Sequence, residues 1–245
     1  MEGLALLPVL SFVFCIDLMP PRTLDSQKSV SKATISSQAL PKAWPQGVTY
    51  LTSPKYSKDV DRQLLQVDKT SKEASKIPVI APKAQAPCPL VRIKPISKPL
   101  HPANGQHGLF ATQNLLPDTF ILTYSGFVHG SVDADPTSDY DLRLNAELGI
   151  AVDASSMGNE TRFINDYRGV SAAGPNAEFR DVLVDFGNGM LERRIGVFVL
   201  SGGKLKGGKR AKGIAKGGEI LVSYGKGFWN ERKRDEQLES LEETK

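Results

Sequence analysis

Gly218-Glu219-Ile220-Leu221-Val222-Ser223-Tyr224-Gly225-Lys226-Gly227-Phe228-Trp229 is the stretch on which the reading of this 245-residue chain turns. It opens on a glycine turn, runs through a short aliphatic strand, and closes with two glycines and two large aromatics. One tyrosine, Tyr224, ends the strand. Upstream the same kind of element recurs at Gly108–Thr112, Phe120–Tyr124, Ile150–Val152, Val182–Phe186 and Ile195–Leu200. Asn-Gly, Ser-Gly, Gly-Asn and Gly-Pro pairs separate these runs. No long amphipathic pattern interrupts them, which argues against alternating βαβ units. The expectation is a mainly β fold with few short helices. The best helical pattern is Trp229–Glu243, where Glu231, Asp235 and Glu239 recur four residues apart with Leu238 and Leu241 on an apolar edge.

The charge is unevenly spread. The net value is +4, yet residues 20–103 carry 14 Lys and Arg against 5 acids, while residues 104–200 carry 6 against 13. The basic segment also holds 12 of the 16 prolines, a composition that disfavours helix and continuous sheet. Three regions are expected. Residues 1–89 form a Pro/Ser/Lys-rich arm, largely extended or disordered. Residues 90–229 form the folded domain, and 230–245 a charged C-terminal helix. Within the arm, Trp44–Leu51 is more ordered in character, and Leu90–Ile96 reads as an edge strand at which the domain begins. The arm could touch nucleic acid, but no aromatics interleave with its basic residues, and a solvated linker is the preferred reading.

Several chemistries fall away. Cys15 and Cys88 stand 73 positions apart, outside any CxxC, and only three histidines accompany them, so no structural zinc or disulfide scaffold is expected. The apolar run Leu4–Ile16 is too short to span a bilayer. Glu2 stands where a secretory leader carries a basic residue, so a nuclear or cytoplasmic protein with no membrane association is expected. Gly203-Lys204-Leu205-Lys206-Gly207-Gly208-Lys209 fits a phosphate loop until Arg210 replaces the required hydroxyl, so residues 201–218 read as a Gly/Lys loop insertion. There is no GxSxG and no evident Cys–His pair. The carboxylates of 133–153 lack the spacing of a calcium loop.

What remains is four segments in order: Asn104–Thr112; Tyr124-Ser125-Gly126; Gly158–Arg168 followed by Gly174-Pro175-Asn176-Ala177; and Gly218–Trp229. Together they resemble the SET domain, the catalytic module of protein-lysine methyltransferases, and look most like small SET-domain proteins of filamentous fungi. The resemblance covers residues 104–229. It implies a β-clip of small curved sheets with a C-terminal pseudoknot, which would bring Arg162–Asp166 beside Ser223–Trp229. It also implies S-adenosylmethionine as cofactor and a lysine-containing protein or peptide, histone or not, as partner.

By the resemblance, Tyr224 matches the catalytic tyrosine and Asn165 the asparagine that contacts the cofactor's amino-acid end. Arg162, Phe163 and Asp166 would line the pocket wall. Gln106, His107, Gly108 and Leu109 would lie against the cofactor through their backbone. Tyr140 is a cofactor or channel contact, and Phe228 and Trp229 would roof the adenine or the lysine channel. No metal is implied. Three departures stand out. Asp166-Tyr167-Arg168 replaces the usual His-Ser-Cys, Gln106 stands at the first glycine of the Gly-x-Gly turn, and flanking zinc segments are absent. The alternative these departures keep open is a catalytically silent SET domain that serves as a protein-interaction module.

Overall fold

Alternating apolar residues closed by glycine turns build the largest element, a hairpin of Ala177–Asp185 and Met190–Val199. Gly187-Asn188-Gly189 joins its arms, with both glycines at a φ of 83°, a conformation in which a Cβ would be strained. The computed structural model describes residues 39–82, 86–201 and 212–230. These lie in one compact unit that starts at Gln38. Their strands are β1 (Thr49–Tyr50), β2 (Lys55–Tyr56), β3 (Gln66–Asp68), β4 (Val79–Ile80), β5 (Val91–Pro95), β6 (His107–Ala111), β7 (Phe120–Thr123), β8 (Phe127–His129), β9 (Asp141–Asn145), β10 (Ile150–Asp153), β11 (Met157–Gly158), β12 (Asn165–Asp166), β13 (Ala177–Asp185), β14 (Met190–Val199) and β15 (Leu221–Val222).

The strands form small mixed sheets, and the fold is mainly β with a few short helical turns. A five-stranded sheet runs β3-β14-β13-β4, with β7 also on β14; a four-stranded one runs β2-β8-β10-β9. β5 pairs with β6, and two short parallel pairs, β1–β11 and β12–β15, join distant segments. Leu109, Ala177, Val197, Val199, Ile220 and Val222 are fully buried together between these layers. Short helical turns occupy Arg62–Leu65, Ala74–Lys76, Ser131–Asp133 and Glu160–Phe163.

Two differences from the sequence expectation have physical causes. Residues 49–80, set with the arm by composition, supply β1–β4 and bury Leu51, Val60, Leu65, Val67 and Ala74. Each of these strands is two or three residues long and pairs with a partner far along the chain, so no local periodicity marks it. The backbone turns helical at 225, earlier than Trp229, and remains so to 230. The rest of the expected C-terminal helix, the first 38 residues and most of the Gly/Lys loop lie outside the described residues. Among the described residues no helix is long and apolar enough to cross a membrane.

Candidate active site

β12 and β15 are adjacent parallel strands, with Asn165 opposite Leu221 and Asp166 opposite Val222. Parallel pairing needs a long connection, and here the chain makes the whole β13–β14 hairpin before returning. Asn176 fastens the return: its Nδ2 donates to the Glu219 carbonyl at 2.7 Å, and its Oδ1 accepts from the Leu221 amide at 2.8 Å. The Tyr167 amide donates to the Val222 carbonyl at 2.9 Å. The 159–166 loop thus lies directly beside 221–229.

That loop begins on Asn159, which caps the Glu160–Phe163 turn. Its Oδ1 accepts from the Thr161 amide at 3.2 Å and its Nδ2 donates to the Thr123 carbonyl at 2.8 Å. Asn159 is buried, so the Asn-Glu-Thr triplet is no accessible glycosylation site. Arg162 then folds back, donating to the carbonyls of Ala154 and Ser155 at 2.9 and 3.1 Å. Its guanidinium lies 4.5 Å from the Tyr140 ring centre and 5.1 Å from that of Phe163. Phe163 is buried, its ring edge-on to Trp44 and His107.

Asn165 Nδ2 donates to Glu219 Oε1 at 2.9 Å and to the His107 carbonyl at 3.4 Å. The other Glu219 oxygen accepts from His101 Nε2 at 3.1 Å. The Ala103 amide donates to His101 Nδ1 at 3.0 Å, which leaves Nε2 to donate to Glu219. Gly108 lies under Glu219: a Cβ there would stand 2.7 Å from Glu219 Oε1 and 3.1 Å from Ile96 Cδ1. The glycine therefore serves close packing of the protein on itself. Leu109 is a core side chain, fully buried. Gln106 is exposed, and its backbone is spent on the turn, donating to Ala103 and accepting from Ile96.

Asp166, buried, gathers the C-terminal segment. Its Oδ2 accepts from the Tyr224 amide at 2.7 Å and from Trp229 Nε1 at 3.3 Å; Arg168 Nη1 pairs with both oxygens at 3.0 and 2.8 Å. The Asp-Tyr-Arg departure is thus internally compensated, since the arginine two residues on neutralises the new carboxylate.

The Tyr224 hydroxyl donates to the Ile164 carbonyl at 2.7 Å. Burial, and then the Asp166 charge, push its ionisation well above the ordinary phenol range. Phe228 stacks edge-on to Tyr224 at 5.0 Å and Trp229 edge-on to Phe228 at 5.4 Å. Tyr124 approaches from β7, its hydroxyl donating to the Tyr140 carbonyl at 2.7 Å; it too is pushed far up by burial, with Tyr224 adding. Arg162, Phe163, Asn165, Asp166, Tyr224, Phe228 and Trp229 therefore share one contiguous region with His107 and Gly108. Gln106 and Leu109 flank it, their carbonyls accepting from the amides of Ile96 and Ile220.

Sequence reasoning gave no role to Glu219, His101, Asn176 or Tyr124. Three of them stand inside the quoted segments, but their partners are 16 to 118 residues away, distances no local pattern spans. Among the described residues no cluster could hold a metal ion. Cys88 is buried and burial pushes its thiol up to about 11, which makes it a poor nucleophile.

No family model matches the sequence, and no curated protein does. Among solved structures the chain is similar to the Chaetomium thermophilum polycomb repressive complex 2. One crystal structure matches at 24% identity over 61% of this chain and 16% of that one, with a TM-score of 0.42. The complex bound to GSK126 matches at 23% identity over 64% and 18%, again at 0.42. The chain spans under a fifth of the length of these neighbours, and a likeness this distant assigns it no activity.

Proposed function

We propose that the chain is an S-adenosylmethionine-dependent methyltransferase that acts on a lysine side chain of a protein, histone or non-histone. The observation that supports this reading is the bond from the Tyr224 hydroxyl to the Ile164 carbonyl, made beside Asn165 across paired segments that lie 60 residues apart. The side chains present fit a cationic cofactor. Asn165 Oδ1 has no hydrogen bond among the described residues, the Tyr224 oxygen keeps its lone pairs, and Arg162 is held by backbone carbonyls. When bound, the cofactor supplies a methyl group on a positively charged sulfur.

The chain's own residues supply position. Asn165 orients the cofactor's amino-acid end, the His107–Gly108 edge forms a wall, and Phe228 and Trp229 give apolar cover. Tyr224, its proton committed to Ile164, presents a lone pair that can accept from the lysine amine and hold it in line. Alignment of this kind lowers much of the barrier to a displacement. The amine must be neutral, a state held by roughly one lysine in a thousand near neutral pH; an apolar, desolvated channel favours that state. Tyr224 itself stays a neutral phenol, because its ionisation is pushed up.

One observation favours a second reading. Glu219 fills the space over Gly108 and holds the Asn165 amide, as a silent interaction module could afford. Transfer of labelled methyl from S-adenosylmethionine into core histones and a whole-cell extract separates the two. The methyltransferase reading expects labelling that Asn165→Ala removes and that Tyr224→Phe lowers about a hundred-fold with cofactor binding retained. Cofactor binding without any labelling would establish the silent module, and absence of cofactor binding would end the methyltransferase reading.

A further inference from the structure

A cavity of about 280 Å³ lies on one face of the five-stranded sheet, lined by Thr52, Ile80, Pro82, Phe120, Val184 and Arg194. It is separate from the candidate active site. Thr123 also faces it, whereas the next residue, Tyr124, turns to the opposite side to meet Tyr140 and Phe179, as alternation along a strand requires. A register shift between Val197 and Phe198, where β7 pairs with β14, brings Phe120 onto the same side as Thr123.

The lining is mostly apolar, with two threonine hydroxyls and a single charged side chain, Arg194. Arg194 is buried, its side chain 7% exposed, and its Nε donates to Glu192 Oε1 at 2.9 Å. Glu192 is buried as well. It also accepts from Arg62 at 2.6 Å and from the Tyr56 hydroxyl. One carboxylate thus faces two guanidiniums, and the cluster carries a net charge of +1. The two terminal amino groups of Arg194 have no hydrogen-bond partner among the described residues. The guanidinium lies 5.4 Å from the Phe186 ring centre, and a guanidinium fork matches a carboxylate in two parallel bonds.

We propose that this cavity is a binding site for a small monocarboxylate with an apolar body, the carboxylate on Arg194 and the body against Ile80, Phe120 and Val184. At about 30 Å³ for each water-sized volume, the space holds roughly nine non-hydrogen atoms, the size of an aryl carboxylate. Apolar walls with a few placed polar groups are the usual make-up of small-molecule sites.

Benzoate and its neutral isostere benzamide test the proposal on the full chain, by calorimetry and by amide chemical-shift mapping. Benzoate binds and shifts the amides of Ile80, Thr123 and Val184. Benzamide binds roughly ten-fold more weakly or worse, and inorganic phosphate alone leaves the three amides in place. Arg194→Met lowers benzoate affinity by a similar factor. Thr52→Trp, at an exposed position on the rim, blocks entry while leaving the Glu192 cluster intact, and it decides the matter if Arg194→Met does not fold. Benzamide binding as tightly as benzoate, undiminished binding in Thr52→Trp, or no benzoate response at these amides would overturn the proposal.

Discussion

Asp166 stands where the resemblance expects a histidine, and it performs a structural task that a histidine could not perform in the same way. A carboxylate offers two oxygens that only accept, and here they take the Tyr224 amide, Trp229 Nε1 and the Arg168 guanidinium at once. Removing them leaves the part-buried Tyr224 amide, the Trp229 indole N–H and the Arg168 guanidinium without these acceptors. Asp166→Ala should cost about 1 to 2 kcal/mol, the lower part of the range for donors left unmatched, because these donors are only partly buried. In a Trp44→Phe background, Trp229 is the remaining indole, and its emission should shift to the red as 225–230 loosens. Unchanged urea midpoints and emission would show that the carboxylate anchors nothing. This anchoring was hidden in the sequence. The residue type was visible as a departure, but its partners Tyr224 and Trp229 are 58 and 63 residues away.

At the scale of elements, the site is a junction of short strands, and Glu219 is its keystone. It joins β6, through the space over Gly108, to the residue that opens β12, through Asn165, and to the His101 turn. The glycine was legible in the sequence as a position of close approach, but the approaching group is a side chain of the same chain. Gly108→Ala should destabilise by about 1 to 3 kcal/mol through overpacking. Glu219→Ala should cost about 2 kcal/mol by stripping acceptors from His101 and Asn165. The two changes should not add, because removing Glu219 makes room for the new methyl. Chemical denaturation of the two single variants and the double variant measures the coupling, and strict additivity would mean that the carboxylate does not rest on Gly108. The strands flanking this junction, β6, β7 and the Ile195–Val199 half of β14, were legible as short apolar runs set off by glycine turns. β9 was not, because Asp141 and Arg143 make Asp141–Asn145 read as acidic surface, and β15 shrank to two residues because Tyr224 leaves the ladder, its amide for Asp166 and its hydroxyl for Ile164.

For the whole molecule, the segment assigned by composition to a basic arm is part of the body. β1–β4 close sheet edges, and Glu160, beside the candidate site, accepts from Tyr50 and from the Cys88 amide at 3.0 and 2.8 Å. A chain starting at residue 86 would lose Val60, Leu65, Val67 and Ala74 from the core. Loss of buried side chains at about 1 to 5 kcal/mol each approaches the whole stability of an average domain, so the truncated chain should melt without a cooperative transition; a sharp transition like that of the full chain would count against the paired role of β1–β4. The same burial sets the response to base. Tyr50, Tyr56, Tyr124 and Tyr224 are all pushed above the ordinary phenol range, each first by burial, and Tyr56 to about 12. The fold therefore favours the protonated phenol. The stability this contributes is complete below about pH 10, where the unfolded phenols are still protonated, and is lost as pH rises towards the folded values. For the two deepest, Tyr124 and Tyr224, the loss is about 1.4 kcal/mol each per pH unit above 10. Urea unfolding at pH 8, 10 and 11 should show a flat region and then a steep fall, and Tyr124→Phe and Tyr224→Phe should each make that fall shallower. Equal stability at pH 8 and pH 11 would mean that these phenols are open to solvent and that the layer between β7 and the 159–166 loop is not packed.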